Sequence, residues 1–414
     1  MASQPYVERL LDRKVAELFG QHPALLVVGP RAAGKTTTAG RHAADVVRLD
    51  RPAEAAAFLA DPDAALRTHN EPLLLDEWQA VPAVLGAVKR AVDQDSRAGR
   101  FLLTGSVRAD LDAATWPGTG RLVRLRLYGL TVREERALAT ARETFLDRLA
   151  RADIALFKVP APVPDLVGYL GLALKSGFPE PLLRLGDTAR RVWLESYLDQ
   201  LLTRDVQELA GRRDPERLRR YFEALALNSA GFPEDRTLYT AAGIDHRTAN
   251  QYERLLQNLF VLDVVPSWTT NRLKRLTKAP KRYLVDPALI SAAVRVDTAG
   301  IMRDGRLLGR VLDTFVLAQI RPELEVAVTR SRLFHIREKN GRREVDIAAE
   351  TASGILGIEV KATAAPDLGD AAHLVSLRDE LGKAFLAGAV LHTGPGLFEL
   401  SDRIFALPVA ALWG

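Results

Sequence analysis

Gly29-Pro30-Arg31-Ala32-Ala33-Gly34-Lys35-Thr36 carries the full Gly-x-x-x-x-Gly-Lys-Thr pattern of a phosphate-cradling loop. The apolar run Ala24-Leu25-Leu26-Val27-Val28 precedes it and reads as a short buried strand, while Thr36-Thr37-Thr38-Ala39 begins an expected helix. Gly29 and Gly34 permit the close approach and backbone angles that side chains block, so successive N–H groups can converge on phosphate oxygens. Gly29, Pro30, Arg31, Ala32, Ala33, Gly34, Lys35, Thr36 and Thr37 are therefore the expected ATP-binding set. Lys35 would reach the β- and γ-phosphates, Thr36 would ligate Mg²⁺, and the helix start would favour the anion.

A second motif, Leu73-Leu74-Leu75-Asp76-Glu77, is an apolar strand ending in two carboxylates. Asp76 is placed to hold the Mg²⁺ shell and Glu77 to position or deprotonate an attacking water. Phe101-Leu102-Leu103-Thr104-Gly105-Ser106 is a further apolar strand, whose polar tip Thr104 would sense the γ-phosphate or the lytic water. Gly120 to Leu127 alternates strictly, a strand with arginines on one face. Arg121 there either touches a γ-phosphate, in cis or in a neighbouring subunit, or belongs to a solvated strand face.

The elements that must hold these residues follow an α/β plan. Up to about Glu135, short apolar strands alternate with helical stretches, as in a doubly wound sheet of P-loop topology. Lys158 to Pro164 is proline-rich and reads as a linker, and Tyr169 to Leu209 is helical in pattern, with an aromatic and apolar stripe at 190–198 assigned to core. Leu238 to Ala242, the turn Gly243, the N-cap Asp245 and the helix His246 to Leu259 outline a helix-turn-helix. The strand Val261 to Pro266 follows, with Lys274, Arg275, Lys278, Lys281 and Arg282 in or near a wing. Arg247, Asn250 and Gln251 would face a DNA groove if this unit binds DNA; such units also serve protein partners. The expected divisions are 1–136, 137–210, 211–295 and 296–414.

In the last hundred residues, Phe334 to Glu338 and Glu344 to Ala349 read as strands joined by an Asn340-Gly341 turn, before Ile355 to Lys361. Residues two apart share a strand face, so Glu359 and Lys361 point together, and Asp346 projects away from Val345 and Ile347. An Asp and a Glu-x-Lys on adjacent strands are either a metal-dependent nuclease arrangement or a charged sheet face.

Charge and composition set broad limits. Among 414 residues, 57 Lys and Arg against 52 Asp and Glu leave a formal net charge of +5, which permits nucleic-acid contact without requiring it. No cysteine is present, which excludes disulfides, thiolate metal sites and cysteine nucleophiles and fits a reducing cytoplasm. No apolar run reaches a membrane span, and Met1 to Lys14 reads as an amphipathic helix without a signal-peptide core, so a soluble, cytoplasmic protein is expected.

The chain resembles prokaryotic AAA-type ATPases with a C-terminal restriction-endonuclease-like domain. The resemblance runs nearly end to end, through Gly29–Thr36, Leu73–Gln79, Leu103–Ser106, Gly120-Arg121, Gly177–Glu180, Tyr283–Asp286, Glu344–Ile347 and Ile358–Lys361. It implies an AAA-type ATPase core, a helical and winged-helix middle and an α/β nuclease-like C-terminal domain, with oligomers plausible because such sites are often completed by a neighbour's arginine. Related chains place a glutamate in a Gly-x-x-Leu-Glu context on the helix opening the last domain; here Gly309-Arg310-Val311-Leu312-Asp313 is one methylene shorter. Asp313 joins Asp346 and Glu359 as an expected metal ligand. The implied function is a nucleotide-dependent switch acting on nucleic acid or a protein partner, or alternatively an ATP-regulated Mg²⁺-dependent nuclease. A small-molecule P-loop kinase is disfavoured by the Asp76-Glu77 pair and by the large C-terminal half.

Overall fold

The computed structural model describes residues 5–106, 120–139, 143–205, 214–338 and 343–414. The chain divides into two compact units, residues 1–130 with 256–261, and residues 131–255 with 262–414.

The first unit is built on β1 (Ala24–Val28), β2 (Asp45–Arg48), β3 (Leu73–Asp76), β4 (Phe101–Gly105) and β5 (Val123–Arg126), all parallel, in the order β2-β3-β4-β1-β5. β1, β3 and β4 are buried along their whole length, as a parallel sheet flanked by helices on both faces requires. Leu26, Leu75, Leu103, Trp78, Val88 and Phe260 share one core. The N-terminal helix spans Asp12–Phe19, and residues 5–11, expected within it, precede it; residues 1–4 lie outside the described residues. Before it, Asp12 accepts hydrogen bonds from the Arg9 backbone N–H (2.9 Å) and the Tyr6 hydroxyl (2.7 Å), so local side-chain bonding delays the helix start.

In the second unit, helices Leu166–Leu174, Pro179–Arg184 and Asp187–Gln200 occupy the stretch expected to be helical, with Trp193 stacked on Tyr197 and Phe178 tilted against both. Asp235–Ala241, Gly243 in the left-handed region (φ 64°) and the helix His246–Asn258, which belongs to this unit up to Leu255, form the helix-turn-helix. The Thr248 N–H donates to Asp245, 2.8 Å, capping the second helix. β6 (Leu262–Val265) and β7 (Lys281–Leu284) pair antiparallel behind it.

The last part of this unit is a six-stranded mixed sheet of β8 (Arg332–Arg337), β9 (Glu344–Glu350), β10 (Ile355–Lys361), β11 (Phe385–His392), β12 (Phe398–Ser401) and β13 (Ile404–Pro408), ordered β12-β13-β11-β10-β9-β8. Helices Gly305–Glu323 and Ala372–Leu381 pack on β10. The strands flanking the expected Asn340-Gly341 turn are present; the turn itself lies outside the described residues.

Candidate functional site: a phosphate loop at the carboxyl edge of the first sheet

The loop leaves β1 at the edge where β3 and β4 also end, Val28 being paired with Gly105. Gly29 is required by proximity: a Cβ there would come within 1.9 Å of the Leu127 carbonyl oxygen. Gly34 is required by conformation, since it sits at φ 93° directly before the helix Lys35–Gly40. Lys35 is 5% exposed and donates to the Pro30 carbonyl, 2.9 Å away. Burial pulls its ammonium down to about 8, partly countered by Glu77 and Asp76.

Thr36 and Thr104 both donate their hydroxyls to the same Asp76 oxygen, the Thr36 bond measuring 2.7 Å. Burial raises the Asp76 carboxyl, while the two hydroxyls pull it back. Glu77 follows in the left-handed region (φ 53°), where β3 ends. There it accepts from Ser106, 2.9 Å, and from the Gln79 amide. Ser106 and Gln79 were not expected at the site from their types alone, yet they aim the carboxylate assigned to water activation. A side chain at Gly105 would come within 2.6 Å of Trp78 Nε1, so this glycine lets the β4 tip lie against Trp78 and Gln79.

Another missed group is Arg9, buried ahead of the first helix. It donates to Ala33 O (2.9 Å) and Tyr128 O (2.6 Å), tying the loop to the segment after β5. Tyr6 meets the Thr38 hydroxyl at 3.1 Å. No periodicity marks these residues, because they act from an extended segment.

Arg121 requires a correction as a cis γ-phosphate contact. It precedes β5, whose parallel register with β1 begins at Leu25↔Val123, so it lies at the edge where β1 starts. A five-residue strand separates the two edges by about 15 Å. There Arg121 is exposed and pairs with Asp93 at 2.7 Å. Arg126, at the other end of the same alternating run, is the arginine paired with Val28 beside the loop. Strand polarity was the signal that distinguishes them.

The C-terminal carboxylates are close together but arranged around an amine. Asp346 on β9, Glu359 on β10 and Asp313 on the helix Gly305–Glu323 come together with Lys281 of β7, whose Nζ is 2.9 Å from Asp346 and 3.6 Å from Asp313. Lys361 pairs with Glu359 at 3.3 Å, as their shared strand face predicts. Burial raises Asp313 and Glu359 well above the carboxylate range, with Asp346 adding to both, whereas at Asp346 burial is opposed by Lys281, the Val360 N–H and Lys361, which together lower it. Asp313, Asp346 and Glu359 therefore do not fit the expected cation site: among the described residues no group of three or more His, Cys, Asp or Glu is arranged to hold a metal. Lys281 and Arg282, expected in or near a wing, lie on β7 of the antiparallel pair and are buried there. Lys281 is 1% exposed, and Arg282 is paired with Glu253 and Asp235. Lys274 and Lys278 remain exposed.

Along the second helix of the helix-turn-helix, His246, Arg247, Asn250, Gln251 and Arg254 line one concave surface.

A parallel sheet of this order, a glycine-bounded loop, a buried lysine and a Thr–Asp pair at the strand ends define the first unit as a P-loop AAA-type ATPase domain. Residues 21–135 match the family described as AAA domain; residues 168–300 and 308–412 match two families described as domains of unknown function, DUF8612 and DUF4143. Uncharacterized proteins of Mycobacterium tuberculosis and Mycobacterium bovis are each 27% identical over 392 residues, covering 93% of this chain and 80% of theirs. The solved Walker-type ATPase of Pyrococcus abyssi is 15% identical, with a TM-score of 0.42 over 69% of this chain and 94% of its own. Among the described residues no helix is long and apolar enough to cross a membrane.

Proposed function

We propose that the chain binds and hydrolyses ATP with Mg²⁺ and uses the nucleotide state as a switch on nucleic acid. The observation that carries the ATPase reading is the linked set at the strand ends: buried Lys35, the Thr36–Asp76–Thr104 hydrogen bonds, and Glu77 held by Ser106. The hydroxyl of Thr36 and the carboxylate of Asp76 are hard oxygen donors side by side, which suits Mg²⁺. Bound Mg²⁺ would neutralise phosphate charge. The loop amides and Lys35 bind and orient the phosphates, and Glu77 accepts a proton from, or orients, the attacking water.

The nucleic-acid part is supported by exposed Arg247, Asn250 and Arg254 on one face of His246–Asn258; in this reading that helix is the recognition helix of a winged-helix-like domain. The nuclease-like C-terminal domain acts as a scaffold; Lys281 among its carboxylates disfavours the active-nuclease alternative.

The test is duplex-DNA binding by the Glu77→Gln variant with and without ATP, across a salt series. Steep salt dependence and a different affinity in the ATP-trapped form are expected. Salt-insensitive or absent DNA binding would direct the switch to a protein partner instead.

A further inference from the structure

Lys281 is enclosed more completely than any surface contact requires. Its side chain is 1% exposed, and its ammonium lies 2.9 Å from Asp346 Oδ1 and 3.6 Å from Asp313 Oδ2. On other sides it meets the rings of Phe232 and Tyr283, 5.3 and 5.4 Å to their centres. The second oxygen of Asp346 is also committed, accepting the Val360 N–H at 3.1 Å, and Glu359 is paired with Lys361. A hard divalent ion needs about six oxygen donors at close range. Here, two of the three carboxylates face the same ammonium, whose remaining surroundings include aromatic faces, and the third is paired with Lys361. β7 also holds the lysine in place, because Lys281 pairs with Val265 in the β6–β7 ladder and its neighbour Arg282 is bound to Glu253.

We propose that the carboxylate cluster of the C-terminal sheet is filled by the chain's own cation. Lys281 stands where a divalent metal would stand, and the cluster is an ionic lock that fastens β7 to β9 and to the helix bearing Asp313. A divalent ion entering would bring two positive charges against a fixed ammonium in a site with little water, a repulsion that only withdrawal of β7 would relieve. The inference goes beyond the ATPase reading and does not depend on it.

Mn²⁺ binding to the full, nucleotide-free chain, followed by the EPR signal of free Mn²⁺, tests the lock. Wild-type protein is expected to take up no Mn²⁺ beyond what Asp76→Asn abolishes. Lys281→Ala should gain one Mn²⁺ site per chain, lose melting temperature, and recover part of it when Mn²⁺ is added. That new site should vanish in Lys281→Ala/Glu359→Gln. Saturable Mn²⁺ uptake by wild type that survives Asp76→Asn but disappears in Glu359→Gln would overturn the proposal. A folded Lys281→Ala chain that ignores Mn²⁺ would do the same. If Lys281→Ala does not fold, the wild-type measurement decides alone, and absence of Glu359-dependent uptake upholds the lock.

Discussion

At the scale of single residues, Lys35 and Glu77 separate binding from turnover. Lys35→Ala removes the only side-chain cation in the Gly29–Thr37 loop besides Arg31 and is expected to abolish tight ATP binding, measured by calorimetry. Glu77→Gln keeps the shape and the Ser106 hydrogen-bonding position while removing the base; affinity should persist and hydrolysis fall by about 10²–10⁴-fold. Unchanged hydrolysis in that variant would show that another group handles the water. The buried lysine also sets a pH dependence. Because burial lowers its ammonium to about 8, phosphates meet a charge already in place below that pH, and binding must take up a proton above it. ATP affinity is expected to be flat below pH 8 and to weaken above it, approaching roughly tenfold per pH unit. Proton uptake at pH 9, read from calorimetry in buffers of different ionisation heat, is the direct check. The nucleotide-free fold is expected to have the opposite slope, gaining stability between about 8 and 10.5 because the unfolded chain binds more protons there.

At the scale of elements, two buried charged groups act as ties. Arg9 fastens the loop through Ala33 and the post-β5 segment through Tyr128. Arg9→Met should lower stability by about 2 kcal/mol and weaken ATP binding with it, since it leaves two buried carbonyls without that donor. A melting temperature and affinity both equal to wild type would show that the strap carries no load. In the second unit Asp286 accepts from Ser176 (2.6 Å), Gly177 N–H (2.7 Å) and Ala288 N–H (2.8 Å). It thereby joins two of the stretches on which the family resemblance rests. Asp286→Ala strands these donors and is expected to cost about 3 kcal/mol, read from denaturant unfolding, while the ATP-binding constant stays near wild type. The strands themselves were legible in the sequence: β1, β3, β4, β9 and β10 lie where the apolar runs and the Glu-x-Lys alternation put them. The N-terminal helix was not, because Asp12 and Arg9 spend their bonds on partners that periodicity ignores.

At the scale of the whole molecule, the prediction concerns coupling. If the nucleotide state governs a nucleic-acid surface, Arg247→Ala and Arg254→Ala should each reduce the salt slope of DNA binding by about one and leave ATP hydrolysis without DNA unchanged. An unchanged slope in both would remove His246–Asn258 from the interface. The exposed face of that helix was readable from the spacing of Arg247, Asn250 and Gln251, and Asp245 caps it as its type and place suggest. The partners of Lys281 and Arg282 were not readable in this way. A basic run counted along the chain looks like one patch, but alternation along β7 and the packing around it bury both side chains against carboxylates.

The sequence by itself determined the nucleotide loop, its glycines and the acidic strand end, because backbone conformation and phosphate chemistry demand those residue types at that spacing. It also determined that Glu359 and Lys361 share a face, since strand geometry has a period of two. Only the tertiary structure decided which arginine lies beside the loop, because that depends on strand polarity across the sheet. It alone also decided that Asp346 and Asp313 face an ammonium. The lysine comes from a strand 65 residues away from Asp346, and only packing reveals which distant charge fills a buried position.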